Sequence, residues 1–477
     1  MNPITFGFVL YLLLILSVGF YTARLTRTMK DFALGGQRLG PWVIAFSERA
    51  SGESAWLLLG LPGAALLAGI MELWTVIGCI LGIIFSWFVI AKRLREATEV
   101  YGALTLPELF AKRFKDDKGI LRVLASLIIT FFFTFYVAAQ FSGAGKVLNV
   151  TFGITQIEGM LLGAVIIILY TLMGGFLAVA WTDLIQGIIM IGTLVILPIV
   201  ALMEINSLPD LAFSLAGGTI FGSNTGLAAI SAAISGLSWG LGYMGQPHLV
   251  TRYMAIDRVE NIKISRRIAI SWAIPAFFGS MVIGMCGYFL LQSGTLVFEG
   301  QLLHGVSALA DSEKIMPILA HNLLHPWVAG IFISGAIAAM MSTADSQLLV
   351  STTVLTEDLI GNYWQGLKDR FDLLLIGRIL TVLIGVVAFA LAWRSEELVF
   401  EMVSYAWAGL GAAFGPALLL TLHWKRVSRI GIIAGMLAGT LFTVIDLFGQ
   451  WVTVRFSAFV IAFIAVLIGS YMKPDRD

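Results

Sequence analysis

The sequence predicts an all-α polytopic membrane protein of about 13 transmembrane helices, with the N-terminus outside and the C-terminus inside. Three observations carry that prediction: the composition, the recurrence of apolar runs, and the side on which the basic residues fall. Hydrophobic residues make up 58% of the 477 and charged residues 12%, with a mean hydropathy of +0.91. A soluble globule carries about 25% charged residues. The net charge of +1 is spread along the chain and leaves no basic patch for nucleic acid.

The first apolar run, residues 4–21, has no basic residue before it, so it is not a secretory signal; Arg24, Arg27 and Lys30 follow it and place the N-terminus outside. Further spans are predicted at 41–69, 73–91, 120–145, 159–180, 184–203, 226–245, 268–291, 326–355, 373–393, 398–423, 430–447 and 456–472, each near the roughly 20 residues a bilayer requires. With these spans, 25 of the 30 Lys and Arg residues fall on the inner side. Lys314, Arg394 and Arg455 fall in outer loops, Lys146 at an outer helix end, and Arg49 alone inside a span. One span more or fewer would destroy that bias. The chain reads as a single integral membrane domain over 1–477.

Within the second span, Ser47-Glu48-Arg49-Ala50-Ser51-Gly52-Glu53-Ser54 places three ionisable residues between apolar runs. One charge at mid-bilayer costs about 2.5–3.5 kcal/mol, so such a cluster is retained where it pairs internally or lines a polar cavity. Gly60, Pro62 and Gly63 follow. Five spans later comes Ser235-Gly236-Leu237-Ser238-Trp239-Gly240-Leu241-Gly242-Tyr243-Met244-Gly245-Gln246-Pro247. Paired interruptions at corresponding positions of two halves point to a transport site, because freed backbone groups are tolerated only where they line a cavity. The offset predicts two inverted five-helix repeats, 41–204 and 227–424, followed by two accessory C-terminal helices in 430–472. Isolated glycines such as Gly78 and Gly82 read as helix-packing positions.

A third polar cluster, Ser342-Thr343-Ala344-Asp345-Ser346-Gln347, lies in the ninth span. Hydroxyl, carboxylate and freed carbonyl oxygens are the ligand set of a hard cation. Ser342, Asp345 and Ser346 stand at i, i+3 and i+4, on one helical face. Asp183 is placed at an inner helix junction, as a further oxygen or as a helix cap. Cys79 and Cys286 sit inside spans as small apolar packing residues. His304, His321 and His325 share an outer loop without zinc-type spacing. No filter ring of a channel and no nucleophile–base or His-Glu-x-x-His constellation of an enzyme is visible.

Four strings carry a resemblance: Trp56-Leu57-Leu58-Leu59-Gly60-Leu61-Pro62-Gly63-Ala64, Gly174-Gly175-Phe176-Leu177-Ala178-Val179-Ala180-Trp181-Thr182-Asp183, Trp239 to His248, and Ser404-Tyr405-Ala406-Trp407-Ala408-Gly409. The chain resembles the sodium:solute symporters, and within them the bacterial proline carriers, from the first helix to about residues 405–416. The resemblance implies a LeuT-type 5+5 inverted-repeat core, alternating access, and import of a small amino acid, L-proline foremost, with Na⁺ as the co-transported ion. It also implies a multi-pass protein of the bacterial inner (plasma) membrane, with the lipid bilayer and the small solute as partners and no obligate protein partner. Trp239, Tyr243 and Pro247 match the substrate pocket, and Tyr136 and Ser54 match positions implicated in it. Ser342 and Thr343 match the sodium-ligand pair; Ala50 and Glu53 match positions that offer backbone carbonyls to the ion. Asp183 matches the inner carboxylate.

The departures from the family fall in one segment. Gly52 stands where the proline carriers have a coupling aspartate, Glu48 and Arg49 replace small residues, and Glu53 replaces an apolar one. Three readings stay open here. Glu53 replaces the missing aspartate; or Arg49 and Glu53, four apart on one face, form an internal ion pair that stands in for sodium; or a buried glutamate carries H⁺ instead. Glu48 and Arg49 are further candidates for a charged contact to the solute.

Overall fold

The computed structural model describes residues 3–25, 28–206, 226–363, 372–446 and 453–473. Arg27, Lys368, Arg370, Arg476, the end of the span expected at 430–447, and residues 207–225 between the sixth and seventh expected spans lie outside them. Nine helical stretches among the described residues are long and apolar enough to cross a membrane, and three shorter apolar helices accompany them. The chain is an all-α polytopic membrane protein, and each predicted span overlaps helix among the described residues.

In order, α1 (Pro3–Ala23) and a short α2 (Met29–Leu34) lead into α3 (Pro41–Gly52), α4 (Leu61–Ala68), α5 (Leu73–Phe85), α6 (Ala91–Tyr101) and α7 (Leu106–Arg113). Then come α8 (Ile120–Phe152), α9 (Gln156–Met173), α10 (Phe176–Asn206), α11 (Leu227–Leu237), α12 (Trp239–Gly242), α13 (Pro247–Ala255) and α14 (Ile262–Ser293). A hairpin of β1 (Leu296–Phe298) and β2 (Gln301–Leu303) precedes α15 (Ile315–Leu323), α16 (Pro326–Thr353), α17 (Leu373–Arg394), α18 (Val399–His423), α19 (Arg429–Ile445) and α20 (Val454–Met472).

Two breaks organise the centre. At the first, Glu53 leaves helical geometry (φ −103°, ψ 53°) while its N–H still donates to the Arg49 carbonyl. The carbonyls of Ala50 and Ser51 are thereby released from the helical ladder. The chain re-enters helix at Ala55, whose N–H is taken by Gln140 Oε1 of α8 at 3.0 Å. A π turn, Trp56–Gly60, follows, because Pro62 offers no N–H to the turn before it and the Leu61 N–H reaches back to Trp56 instead.

At the second break, Pro247 lacks an N–H and forces Gln246 into extended geometry (φ −71°, ψ 111°), so α12 cannot run on into α13. Glycine is required alongside: a Cβ on Gly242 would stand 1.8 Å from the Trp407 indole nitrogen of α18.

Two differences from the sequence reading bear on the site. The span expected at 159–180 ends at Met173, because Gly174 is extended and a Cβ on Gly175 would meet the Phe32 backbone at 2.9 Å. Asp183 consequently sits well inside α10 rather than at a helix junction, and caps nothing. The seventh span does not stop at Gly245: it resumes as α13, every residue of which is buried. That carries Arg252, counted among inner-loop basics, into the core, so Arg49 is not the one buried arginine.

Helix α16 is buried along most of its length, packed on α1, α3, α8 and α10. Gly78 and Gly82 let α5 meet the second broken helix backbone to backbone: Cβ atoms there would lie 2.6 and 2.3 Å from the carbonyl oxygens of Gly236 and Gly240. Cys79 and Cys286 are buried free thiols.

Candidate functional site: two broken helices around a charged and aromatic centre

All fourteen residues singled out from the sequence are buried, and most converge where the two breaks face each other. Three groups can be separated.

The aromatic group comprises Trp56, Trp239, Tyr243, Trp407, Tyr136, Phe277 and Phe400. Trp56 and Trp239 stack at 4.7 Å with 14° between their planes. Phe277 and Phe400 pack against them, and Tyr243 stands edge-on to Trp407 at 4.8 Å. The Trp407 indole donates to the Trp239 carbonyl at the start of α12, 2.9 Å away. Ser54 Oγ lies 3.4 Å from the Tyr136 hydroxyl. Pro247 faces elsewhere: it lines a cavity of about 20 Å³ with Thr105, Ile129, Phe176 and Val350.

The charged group is Glu48, Arg49 and Glu53, each fully buried. Arg49 donates through Nε and Nη2 to both oxygens of Glu48, and through Nη1 to Glu53 Oε1 at 2.7 Å. Glu48 also accepts from the Trp87 indole at 3.1 Å and the Tyr253 hydroxyl at 3.2 Å. The Tyr243 hydroxyl reaches Glu53 Oε1 and Oε2 at 3.0 and 3.1 Å. Arg49 and Glu53 therefore do form the i, i+4 pair that their spacing suggested. The guanidinium is held by two carboxylates.

The oxygen group lies between α3 and α16. Ser342 Oγ donates to the Ala50 carbonyl at 2.9 Å and Thr343 Oγ1 to the Ser51 carbonyl at 3.0 Å, the two carbonyls freed by the first break. Below them, Arg252 Nη2 contacts Ser51 Oγ (2.7 Å), Ser346 Oγ (2.5 Å) and Asp183 Oδ2 (3.0 Å), while its Nε donates to Ser47. Ser342, Thr343 and Ser346 thus turn toward α3. Asp345 accepts from Ser346 Oγ at 3.3 Å through Oδ1, while its Oδ2, like Asp183 Oδ1 and Gln186 Oε1, has no hydrogen-bond partner among the described residues. Among those residues no group of three His, Cys, Asp or Glu is placed to hold a metal, His304, His321 and His325 included.

Gln140, Arg252 and His248 belong to this site and were not singled out from the sequence. The signal for Arg252 was its i, i+4 spacing from His248 just after a helix-breaking Gln-Pro, which a loop reading concealed. Both ring nitrogens of the fully buried His248 lack a hydrogen-bond partner of good geometry among the described residues.

Breaks of this kind, unwound backbone facing hydroxyls on one side and rings on the other, define a membrane carrier rather than a channel or an enzyme. A profile of the sodium:solute symporter family matches residues 32–439. The sodium/proline symporter of Escherichia coli K12 is 38% identical over 447 residues, covering 93% of this chain and 88% of its own. The high-affinity proline transporter PutP of Bacillus subtilis is 38% identical, covering 90% and 89%. The chain belongs to the sodium:solute symporter family. Among solved structures, a Na⁺-coupled sialic acid symporter in a substrate-bound outward-open state superposes with a TM-score of 0.78 at 18% identity, covering 100% of this chain and 99% of its own. MhsT in complex with L-phenylalanine gives 0.57 at 15% identity, covering 91% and 98%. These share the LeuT-type fold. The protein is a multi-pass protein of the plasma membrane.

Proposed function

We infer that this chain is a secondary active symporter that imports L-proline, or a related small amino acid, down a sodium gradient by alternating access. The observation that carries the reading is the engagement of the Ser342 and Thr343 hydroxyls with the Ala50 and Ser51 carbonyls. It joins a broken helix to an intact one through oxygens alone, the set a sodium ion replaces with its own coordination. Relatives covering some nine-tenths of the chain are named for sodium and proline. The rings of Trp239, Tyr243 and Tyr136 suit the apolar face of a pyrrolidine. Asp183, Asp345 and Ser346 make a second oxygen group further along the path, where Arg252 is the resident cation. Arg49 donates to Glu48 and Glu53 and to none of the ion-site oxygens, which speaks for sodium rather than a tethered guanidinium as the coupling charge.

In this reading 41–204 and 227–424 move as two inverted five-helix repeats, 430–472 stays outside them, the helices number 13, and the basic face is cytoplasmic. Uptake of radiolabelled proline into proteoliposomes tests it. Accumulation against a gradient under inward sodium, abolished when potassium replaces sodium, is expected. Equal uptake in potassium, or none in sodium, would overturn the assignment.

A further inference from the structure

The Glu48–Arg49–Glu53 group holds two carboxylates and one guanidinium. Other cations of the core are committed elsewhere: Arg252 to Asp183, Lys146 to Asp311 and Glu313, and Arg455 to Ser235, Ser238 and Ser404 on the far face of Trp239. A buried group of this kind is costly until one more positive charge arrives.

Its open valence is at one atom. Both Glu48 oxygens accept from Arg49 and from a second donor, Tyr253 for Oε1 and Trp87 for Oε2. Glu53 Oε1 accepts from Arg49. Among the described residues Glu53 Oε2 has only the Tyr243 hydroxyl, whose single proton is shared with Oε1. Tyr243 is itself one wall of the aromatic group, whose ring faces favour a cation.

A second unsatisfied group flanks the same wall. His248 is fully buried, its ring centroid 6.0 Å from that of Tyr136; the Ser51 backbone interacts with its ring without meeting good hydrogen-bond geometry, and neither nitrogen has another partner among the described residues. It occupies the first turn of the nine-residue α13, where Pro247 has no N–H and those of Leu249 and Val250 donate to the Gln246 carbonyl, so the His248 N–H and the helix dipole are what favour an anion there. An imidazole carries at least one N–H donor in either protonation state. Tyr136 stands edge-on to His248, and its hydroxyl lies near Ser54, the residue after Glu53.

We propose that Glu53 receives the charged nitrogen of the solute and that His248, with the N-terminus of α13, receives its carboxylate. The proposal rests on the reading of this chain as an amino-acid carrier and specifies how its site selects: a solute must bring a protonated nitrogen. A secondary ammonium suits Glu53, since it supplies both the missing charge and two N–H donors. The sodium oxygens between α3 and α16 are a separate set, so the Glu53 side chain selects solute while its backbone serves the ion.

The test compares proline with tetrahydrofuran-2-carboxylate, which keeps ring and carboxylate but replaces the ammonium by an ether oxygen. In wild-type proteoliposomes the oxygen analogue should compete for proline uptake roughly 10- to 100-fold less well than unlabelled proline. In Glu53→Gln that gap should shrink to within about threefold, through loss of proline affinity, while the sodium concentration for half-maximal uptake holds. Glu53→Asp should retain discrimination, and His248→Phe should weaken proline and the oxygen analogue alike. Equal competition in the wild type overturns the proposal without any variant. A Glu53→Gln protein with unchanged proline affinity and shifted sodium dependence also overturns it. Thermal stabilisation of the purified wild type by the same compounds reads binding without transport. If wild-type vesicles take up no proline yet ammonium-bearing solutes alone stabilise the protein, the carrier assignment for proline falls and the nitrogen selectivity stands.

Discussion

Trp56 and Trp239 stack 4.7 Å apart, one from the turn that follows the first break and the other from the residue that follows the first half of the second broken helix. Trp56 thus presents its ring just past the first break, and Trp239 presents its ring from the first residue of α12, ahead of the second break. The contact closes the aromatic group on that side in this conformation.

Trp239→Ala should therefore raise the KM for proline on the order of 30-fold, as truncation of a buried aromatic anchor does, while leaving assembled protein in detergent. Trp239→Phe should recover most of it. The deciding measurement is apparent Tm with and without proline. A variant whose ligand-free Tm collapses while its proline-induced shift is intact would assign Trp239 to packing alone.

Arg252 and Asp183 make a fully buried ion pair at 3.0 Å between α13 and α10. Removing one partner leaves the other charge uncompensated, so Arg252→Gln or Asp183→Asn should each cost about 3–5 kcal/mol of stability. The double variant should cost less than the sum of the two. Thermal unfolding of the three proteins measures the coupling, and strict additivity would show that the pair does not act as one.

Ser342→Ala and Thr343→Ala each delete one oxygen from the set facing the freed carbonyls. Half-maximal uptake should then need roughly 5- to 30-fold more sodium, the loss expected from a charge-assisted contact, with proline affinity unchanged at saturating sodium. A sodium titration of proline uptake provides the check. An unaltered curve for both variants would remove these hydroxyls from the ion site.

Glu313, buried beside α15, accepts from Lys146 of α8 at 2.5 Å and from the N–H groups of Val399 and Phe400 at 2.9 and 2.8 Å. Phe400 in turn packs on Trp239. Glu313→Gln weakens this latch, and a cysteine placed at Ser54 should then react faster with a maleimide added from the face opposite the basic one. Cys79 and Cys286 are buried and give little background. An unchanged rate would make the latch purely structural.

The helices were legible because lipid demands long apolar runs, and the breaks because Gly, Pro and ionisable residues are conspicuous inside such runs. Even the partnership of Arg49 with Glu53 followed from their spacing. What escaped was anything set by tertiary approach. Gly174-Gly175 ends α9 only because Phe32 packs against it, a contact no local pattern announces. Arg252 read as one more basic residue of an inner loop, since nothing in Leu249-Val250-Thr251 distinguishes a half-helix re-entering the core from a surface helix. Arg455 read as loop for a related reason: it is the second residue of α20, yet it turns inward to Ser235 and Ser238 and lies 4.5 Å over the Trp239 ring. Helix α20 therefore reaches the junction of α11 and α12.

Ser51 belongs to two circuits at once. Its carbonyl oxygen takes the Thr343 hydroxyl in the oxygen group between α3 and α16, while its own hydroxyl contacts Arg252 Nη2, Asp183 Oδ2 and Ser346 Oγ. The two sets are a single peptide unit apart, so neither can be rearranged without tugging on the other. An ion that draws the Ser51 carbonyl toward itself rotates the same residue whose side chain fastens α3 to α13. The wiring is that of a two-key lock, in which filling one keyhole resets the tumbler of the next.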